Sequence, residues 1–318
     1  MSFGYRVLGF GSGFAAAAAT LQKAIFAYGT SASAKVTVSN LVNSSGVVGS
    51  DVSGVGSVKT GGGGASYGGD KGIFGFGEGA ADWTAITNLV NNEGVVASDT
   101  AAVGGASGRY CTACSFGEDR AMFLYGYGWD GSANVDFPQS NLVSNTGVVS
   151  ADSSAAGTAR RYPAAVRFGP LSDGKAIVYG GAPSGSPTNT SNIINTSGVI
   201  GSDVTGVGTA RNGLAGTPYG GDKAVFAFGT TGSYTAVSNL ISTAGVVATD
   251  TSAVGTARDG VYGAPYGGEL GIIAYGNNAG GRLSISNLIS NSGVVGSDVS
   301  GVGTARILVM ASGYSTSA

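Results

Sequence analysis

The chain has 318 residues, 59 of them glycine, with 42% apolar and only 11% charged residues. Its 16 basic and 18 acidic side chains leave a net charge of −2, which lacks the electrostatic footprint of a partner for nucleic acid or an anionic membrane. There is no histidine and there are only two cysteines, Cys111 and Cys114, so a disulfide framework, Ser-His-Asp hydrolysis and most zinc sites are excluded.

Residues 1–11 include one strand-like run, Tyr5 to Phe10, that has no counterpart elsewhere. The start lacks the basic region and cleavage pattern of a secretory signal, and no run reaches the length of a membrane-spanning helix. From residue 12 onward one unit recurs at about fifty residues, the blade length of β-propeller repeats. In the unit 212–258 it contains an apolar run at 214–219, the turn Gly220-Gly221-Asp222, an aromatic run at 223–228, a third run at 235–241 and a fourth at 246–250. The high glycine content therefore reads as turns between strands, because the apolar fraction and the aromatic runs supply the core that disordered chains lack.

Single residues fix the register. The third run carries Asn40, Asn88, Asn141, Asn192, Asn239 and Asn287; the fourth carries Asp51, Asp99, Asp152, Asp203, Asp250 and Asp298. The units end at Lys59, Arg109, Arg160, Arg211, Arg258 and Arg306. In the second run large and small residues alternate, as Phe26, Ala27, Tyr28 and Gly29, so the small residues of one unit receive the aromatic residues of the next. The unit with Ile177, Val178, Tyr179 and Gly180 places its aromatic one residue early, which predicts a bulge or a slipped register. After Arg306 an apolar run at 307–314 aligns with a first strand, and no second strand follows it.

The expected fold is a single all-β domain over residues 1–318, a β-propeller with six complete four-stranded blades at 12–59, 60–109, 110–160, 161–211, 212–258 and 259–306. Residues 1–11 and 307–318 close the ring, either as a latch on six blades or as a split seventh. The order of elements resembles kelch-type propeller repeats over nearly the whole chain, although the kelch double glycine occurs only at Gly180-Gly181 and the kelch tryptophan is missing. The phrases Tyr-Gly-Gly-Asp-Lys-Ala, Ser-Asn-Leu, Gly-Val-Val and Gly-Thr-Ala-Arg also resemble repeats of predicted tail or virion proteins of tailed bacteriophages. That resemblance implies a virion component assembled in the host cytoplasm in multiple copies, with other virion proteins and host-surface glycans as partners.

The candidate binding residues are Trp83 and Trp129, the only tryptophans, with Asp130 and Asp136 in the longest loop, because an indole beside a carboxylate suits a sugar. Arg160, Arg211, Arg258 and Arg306 recur once per unit and are read as structural, bonded to carbonyls or to a neighbouring unit's carboxylate. The aspartates Asp51 to Asp298 are read as caps of their own turns, with a calcium ring as the alternative. Cys111 and Cys114 lie three apart in a strand and are read as inert core residues. No cofactor or metal is expected. The expected function is a non-enzymatic structural or adhesion component of a virion, with a glycan-binding propeller and a carboxylate-based glycan-processing enzyme as alternatives.

Overall fold

In the computed structural model residues 22–101, 108–252 and 254–316 are described; the closure strand expected at residues 1–11 lies outside them. The described chain is all-β, with short 3-10 turns at Leu171–Asp173 and Pro183–Gly185. The body consists of six small antiparallel sheets.

Five of these sheets take their first three strands from one unit each. They are Gly63–Tyr67, Lys71–Gly75 and Thr87–Val90; Thr112–Phe116, Arg120–Leu124 and Gln139–Val143; and Ala164–Phe168, Lys175–Tyr179 and Ser191–Ile194. The last two are Ala215–Tyr219, Lys223–Ala227 and Val237–Ile241, then Tyr262–Tyr266, Leu270–Ala274 and Ser286–Ile289. The first unit differs. Its strands Lys23–Ala27 and Ser39–Val42 are completed by Met310–Tyr314, which pairs along the open edge with Phe26 opposite Ala311. Phe74 opposite Gly64 and Phe226 opposite Gly216 keep the same register. The edge expected to be filled from the unit's own residues 12–22 is thus held by the far end of the chain. Residues 310–314 start no sheet of their own, against the split-seventh option.

A fourth strand is regular in only two sheets, at Ser153–Ser154 and Thr251–Ser252. In the other four units it is reduced to isolated bridges such as Ser39 with Val52 and Val42 with Val48.

The expected bulge is absent. Lys175–Tyr179 pairs without interruption on both edges. Tyr28, Phe76, Tyr125, Phe228 and Tyr275 all sit in the left-handed region just after their strands, and in the fourth unit Gly180 takes that position with φ 68°. Tyr179 then compensates from the last strand position: its hydroxyl donates to the Val207 carbonyl, as Tyr28 donates to Val55 and Tyr125 to Ala156.

The core is divided among the sheets. Six apolar clusters each join two consecutive units, for example Ile177 and Tyr179 with Ala224 and Phe226, and Ile272 and Tyr275 with Ala24 and Phe26. Aromatic rings meet across four of these boundaries at centroid distances of 4.8 to 5.8 Å, and Gly75 leaves the room that Phe123 of the next unit fills. Cys114, in the strand Thr112–Phe116, and Cys111, just before it, are both buried and free and belong to different apolar clusters, and burial pushes the Cys111 thiol up to about 12.

Two sets of backbone hydrogen bonds run from unit to unit and return to their starting points. At one end Tyr110 N–H donates to Gly61, Tyr162 to Tyr110, Gly213 to Tyr162, Gly260 to Gly213, Leu308 to Gly260 and Gly61 to Leu308, at 2.5 to 3.1 Å. At the other, Gly68 donates to Asp119, Gly117 to Gly174, Gly169 to Asp222, Gly220 to Glu269, Gly267 to Gln22 and Ser315 to Asp70, at 2.6 to 3.0 Å. Residue 308 closes the first circuit and residue 315 the second. Removal of residues 307–318 should therefore open both circuits and expose the Lys23–Ala27 edge to aggregation; the truncated protein is expected to melt at least about 10 °C lower than the intact chain in a thermal scan, given the roughly 2–4 °C lost per kcal/mol at this size.

Candidate functional site

The repeated polar residues are consumed between sheets. Asn40, Asn88, Asn141, Asn192, Asn239 and Asn287 each donate Nδ2 to the aspartate of their own fourth run. That carboxylate also accepts from the preceding unit, where Ser57, Thr158, Thr209, Thr256 and Thr304 supply both amide and hydroxyl to Asp99, Asp203, Asp250, Asp298 and Asp51. The aspartates therefore tie neighbouring units together, whereas the sequence reading had each cap its own turn. No group of three or more metal-binding side chains occurs among the described residues.

Arg160, Arg211, Arg258 and Arg306 are wholly buried. Arg160, Arg211 and Arg258 donate Nη2 to Asn192, Asn239 and Asn287 of the next unit at 2.6 to 2.7 Å, and Arg306 donates to Asn40. Nη1 of each meets a backbone carbonyl, at Thr158, Thr209, Thr256 and Val38. Nε does so in Arg211 and Arg258, whereas Nε of Arg160 and of Arg306 is buried without an acceptor. The guanidiniums lie over the rings of Tyr125, Tyr179, Phe228 and Tyr275. Of the aspartates, Asp203, Asp250 and Asp298 come no closer to them than 3.8 to 4.0 Å. Lys59 occupies the same place over Tyr28 and bonds Asn88; burial pulls its ammonium down to about 8. Arg109 does not belong to this set. Gly77 donates to the Gly108 carbonyl as Gly29 donates to Lys59 and Gly229 to Arg258, so Gly108 holds the equivalent place and a small void of about 10 Å³ lies against Gly108, Phe76 and Asn141.

Arg109 instead stands one residue further on, among the loops that join second to third strands. Its Nη1 reaches Glu78 at 2.7 Å and its guanidinium lies over Tyr110 and Tyr127. It thereby links the turn carrying Trp83 to the longest loop, which is a hairpin of Tyr127–Trp129 with Asn134–Asp136. Trp129 is 52% exposed, and Trp83 is half-buried beside the Glu78 bridge. No ring contact joins the two indoles among the described residues. Asp130 folds its carboxylate back on Ser132 and Ala133, whose donors hold it below the usual range. Asp136 is claimed by Arg161 at 2.8 Å and by the Ser184 amide at 2.7 Å. Trp129 is thus the predicted residue left open to a partner.

The opposite end holds what the sequence did not point to. The six first strands line a cavity of about 520 Å³ that opens among the Gly-Gly-Asp turns, within the range of ligand pockets. Its far end narrows to about 40 Å³ between Tyr162, Tyr262 and Leu308, where Tyr110 stacks on Tyr162 at 4.0 Å and the Tyr262 hydroxyl donates to the Gly62 carbonyl. The turns between third and fourth runs share this end. Each presents one valine, Val47, Val95, Val148, Val199, Val246 or Val294, with 58 to 66% exposure.

Arg258→Met should remove a buried cation from its Asn, carbonyl and ring partners and cost about 3 kcal/mol, read as a lower urea midpoint, while Trp129→Ala should leave the midpoint within about 0.5 kcal/mol of the parent. Burial alone would raise Asp51, Asp99, Asp203, Asp250 and Asp298, yet hydroxyl, Asn and amide donors hold all five below their ordinary value. Their contribution is present above the unfolded value of about 4 and lost as pH falls through the lower folded values. Thermal stability is accordingly expected to hold down to about pH 5 and to fall below about pH 4, with a shallower fall in Asp250→Asn. No family model and no curated protein matches the chain.

Proposed function

We propose that the chain is a kelch-like six-bladed β-propeller acting without catalysis as a structural or adhesion component of a bacteriophage virion. The propeller reading is supported by six sheets of one design, six clusters that each join consecutive units, and two hydrogen-bond circuits that close through residues 308 and 315. A binding role fits this frame because its repeated Arg, Asn and Asp side chains are engaged in holding units together and offer no reactive group.

The observation that carries the assembly role is the set of six valines, each about 60% exposed at the same turn position. The turn itself needs no side chain there, since the valine amide and carbonyl make its hydrogen bonds with Asn43 in the first unit and with the matching residues elsewhere. Repeated apolar exposure around one end of a ring suits contact with other virion proteins that engage several blades together. Replacing all six by threonine, which keeps the shape and adds a hydroxyl, should leave the isolated protein folded and lower its incorporation into particles at least tenfold. Unchanged incorporation would remove the assembly role.

Host attachment through a glycan is the second reading, favoured by the exposure of Trp129 on a rigid hairpin at the other end. Trp129→Ala should weaken glycan-array binding by roughly thirtyfold, the loss of about 2 kcal/mol typical of a stacked indole, with Trp83→Ala weaker in effect.

A further inference from the structure

Six positions point into the wide part of the cavity from equivalent places in the first strands: Ser66, Ser115, Arg167, Pro218, Pro265 and Gly313. Five are uncharged and small or rigid. Arg167 is the exception, the one cation among these six positions; towards the mouth the cavity is also lined by Arg120 and Lys223 and by Glu118, Asp119, Asp222 and Glu269. Its guanidinium is held from one side: Nη2 donates to the carbonyls of Pro170, at 3.1 Å, and Leu171. Gly174 lies flat beneath it, so close that a Cβ there would fall 2.0 Å from Nε. Nε is buried without an acceptor, and Nη1 has no acceptor among the described residues. Burial draws the group down to about 10, with Glu118 opposing that shift through space; it remains charged at neutral pH.

The wall around it adds two features. The Ser115 hydroxyl spends its proton on the Ser66 carbonyl at 2.8 Å, which leaves its lone pairs for a donor from a ligand. Pro218 and Pro265 offer flat C–H faces without donors. At the mouth Asp222 is paired with Lys223 at 2.9 Å, whereas Glu118, Asp119 and Glu269 enter no ion pair within 4.0 Å among the described residues, Asp119 accepting instead from Asn145.

We propose that this cavity binds an acidic sugar of the hexuronate class, its carboxylate on the open Nη1 edge of Arg167, a ring hydroxyl donating to Ser115 and the C–H face of the ring against Pro218 and Pro265. A charge-assisted bond to a partly desolvated guanidinium outweighs a neutral one, which gives the carboxylate the leading share and the hydroxyls the choice among carboxylates. The site lies at the end opposite Trp129, and its failure leaves the valine-dependent assembly untouched.

Calorimetric titration of the full chain with D-glucuronate, D-glucose and glutarate tests the proposal. Glucuronate is expected to bind with a millimolar or tighter dissociation constant, glutarate at least about threefold more weakly, and glucose at least about tenfold more weakly, as the loss of one charge-assisted bond requires. Raising the salt from 50 to 500 mM should weaken glucuronate binding. Arg167→Met, checked for an unchanged melting temperature, should lose at least about tenfold in affinity for glucuronate, and Glu118→Gln should gain a few fold by removing the opposing charge. Equal binding of glucose and glucuronate, equal binding of glutarate and glucuronate, or no heat from glucuronate at 50 mM overturns the proposal on the unmutated protein alone, and an Arg167→Met variant that binds glucuronate as tightly as the parent does so independently.

Discussion

Everything in this chain depends on how one unit is fastened to the next, and the fastening is a buried guanidinium that avoids a direct salt bridge. Removing a cation from water costs several kcal/mol unless the lost hydration is replaced. Arg211 replaces it with two carbonyls, the Asn239 amide oxygen and the face of Tyr179. The balancing charge, Asp250, stays partly in solvent 3.8 Å away, where its own desolvation is smaller. Asn239 relays between them, accepting from the arginine and donating to the aspartate. A neutral relay suits a position with no exposure at all, because a carboxylate there would itself be buried. Lys59 shows the limit of the arrangement: one ammonium reaches Asn88 and only a distant carbonyl at 3.5 Å, and burial lowers its proton affinity.

The same fastening explains the strained backbone. An aromatic residue in the left-handed region costs on the order of 1–3 kcal/mol, and five units accept it. In three of them the conformation turns the ring back beneath the guanidinium that ends the unit, as with Phe228 under Arg258 at 4.1 Å, and Tyr28 lies likewise beneath Lys59. Phe76, in the unit where Gly108 holds that slot, has no cation over its ring among the described residues. The fourth unit avoids the strain by placing Gly180 in the left-handed position and Tyr179 one residue earlier, and Tyr179 still reaches both Arg211 and the Val207 carbonyl. Ring position under the cation is what is preserved, and the residue number that supplies it is free to shift by one.

This also marks what was open to reading in the sequence. The all-β class, the period and the positions of Asn239 and Asp250 could be read because each fills one slot that nothing else in its unit imitates. The end of the second unit could not, because Gly108 and Arg109 stand side by side and the eye takes the charged residue, whereas only the hydrogen bond from Gly77 shows which one holds the slot. The first strand of the first unit was likewise hidden. Small and apolar residues occur both before residue 22 and after residue 306, and pairing, which composition does not encode, assigns the edge to Met310–Tyr314. Among the site residues, Asp130 and Asp136 look available in sequence; their donors lie two or three residues away in the first case and 25 in the second.

The cavity escaped for a deeper reason. Its wall takes one residue from each unit, so its members are about fifty positions apart and are recognised only after the register is known. Once aligned, Ser66, Ser115, Pro218, Pro265 and Gly313 make Arg167 an exception, although in the linear sequence it is one arginine among several. In a molecule built from near-identical units a ligand that reads only repeated positions meets the same chemistry six times, and discrimination has to come from places where one unit departs from the others. Three such departures carry polar or aromatic groups to accessible places: Arg167 in the cavity, the Trp129 hairpin at the other end, and Arg109 between the loops. The repeated arginines share none of this accessibility, since filling the space between sheets is what keeps them from any partner outside the chain.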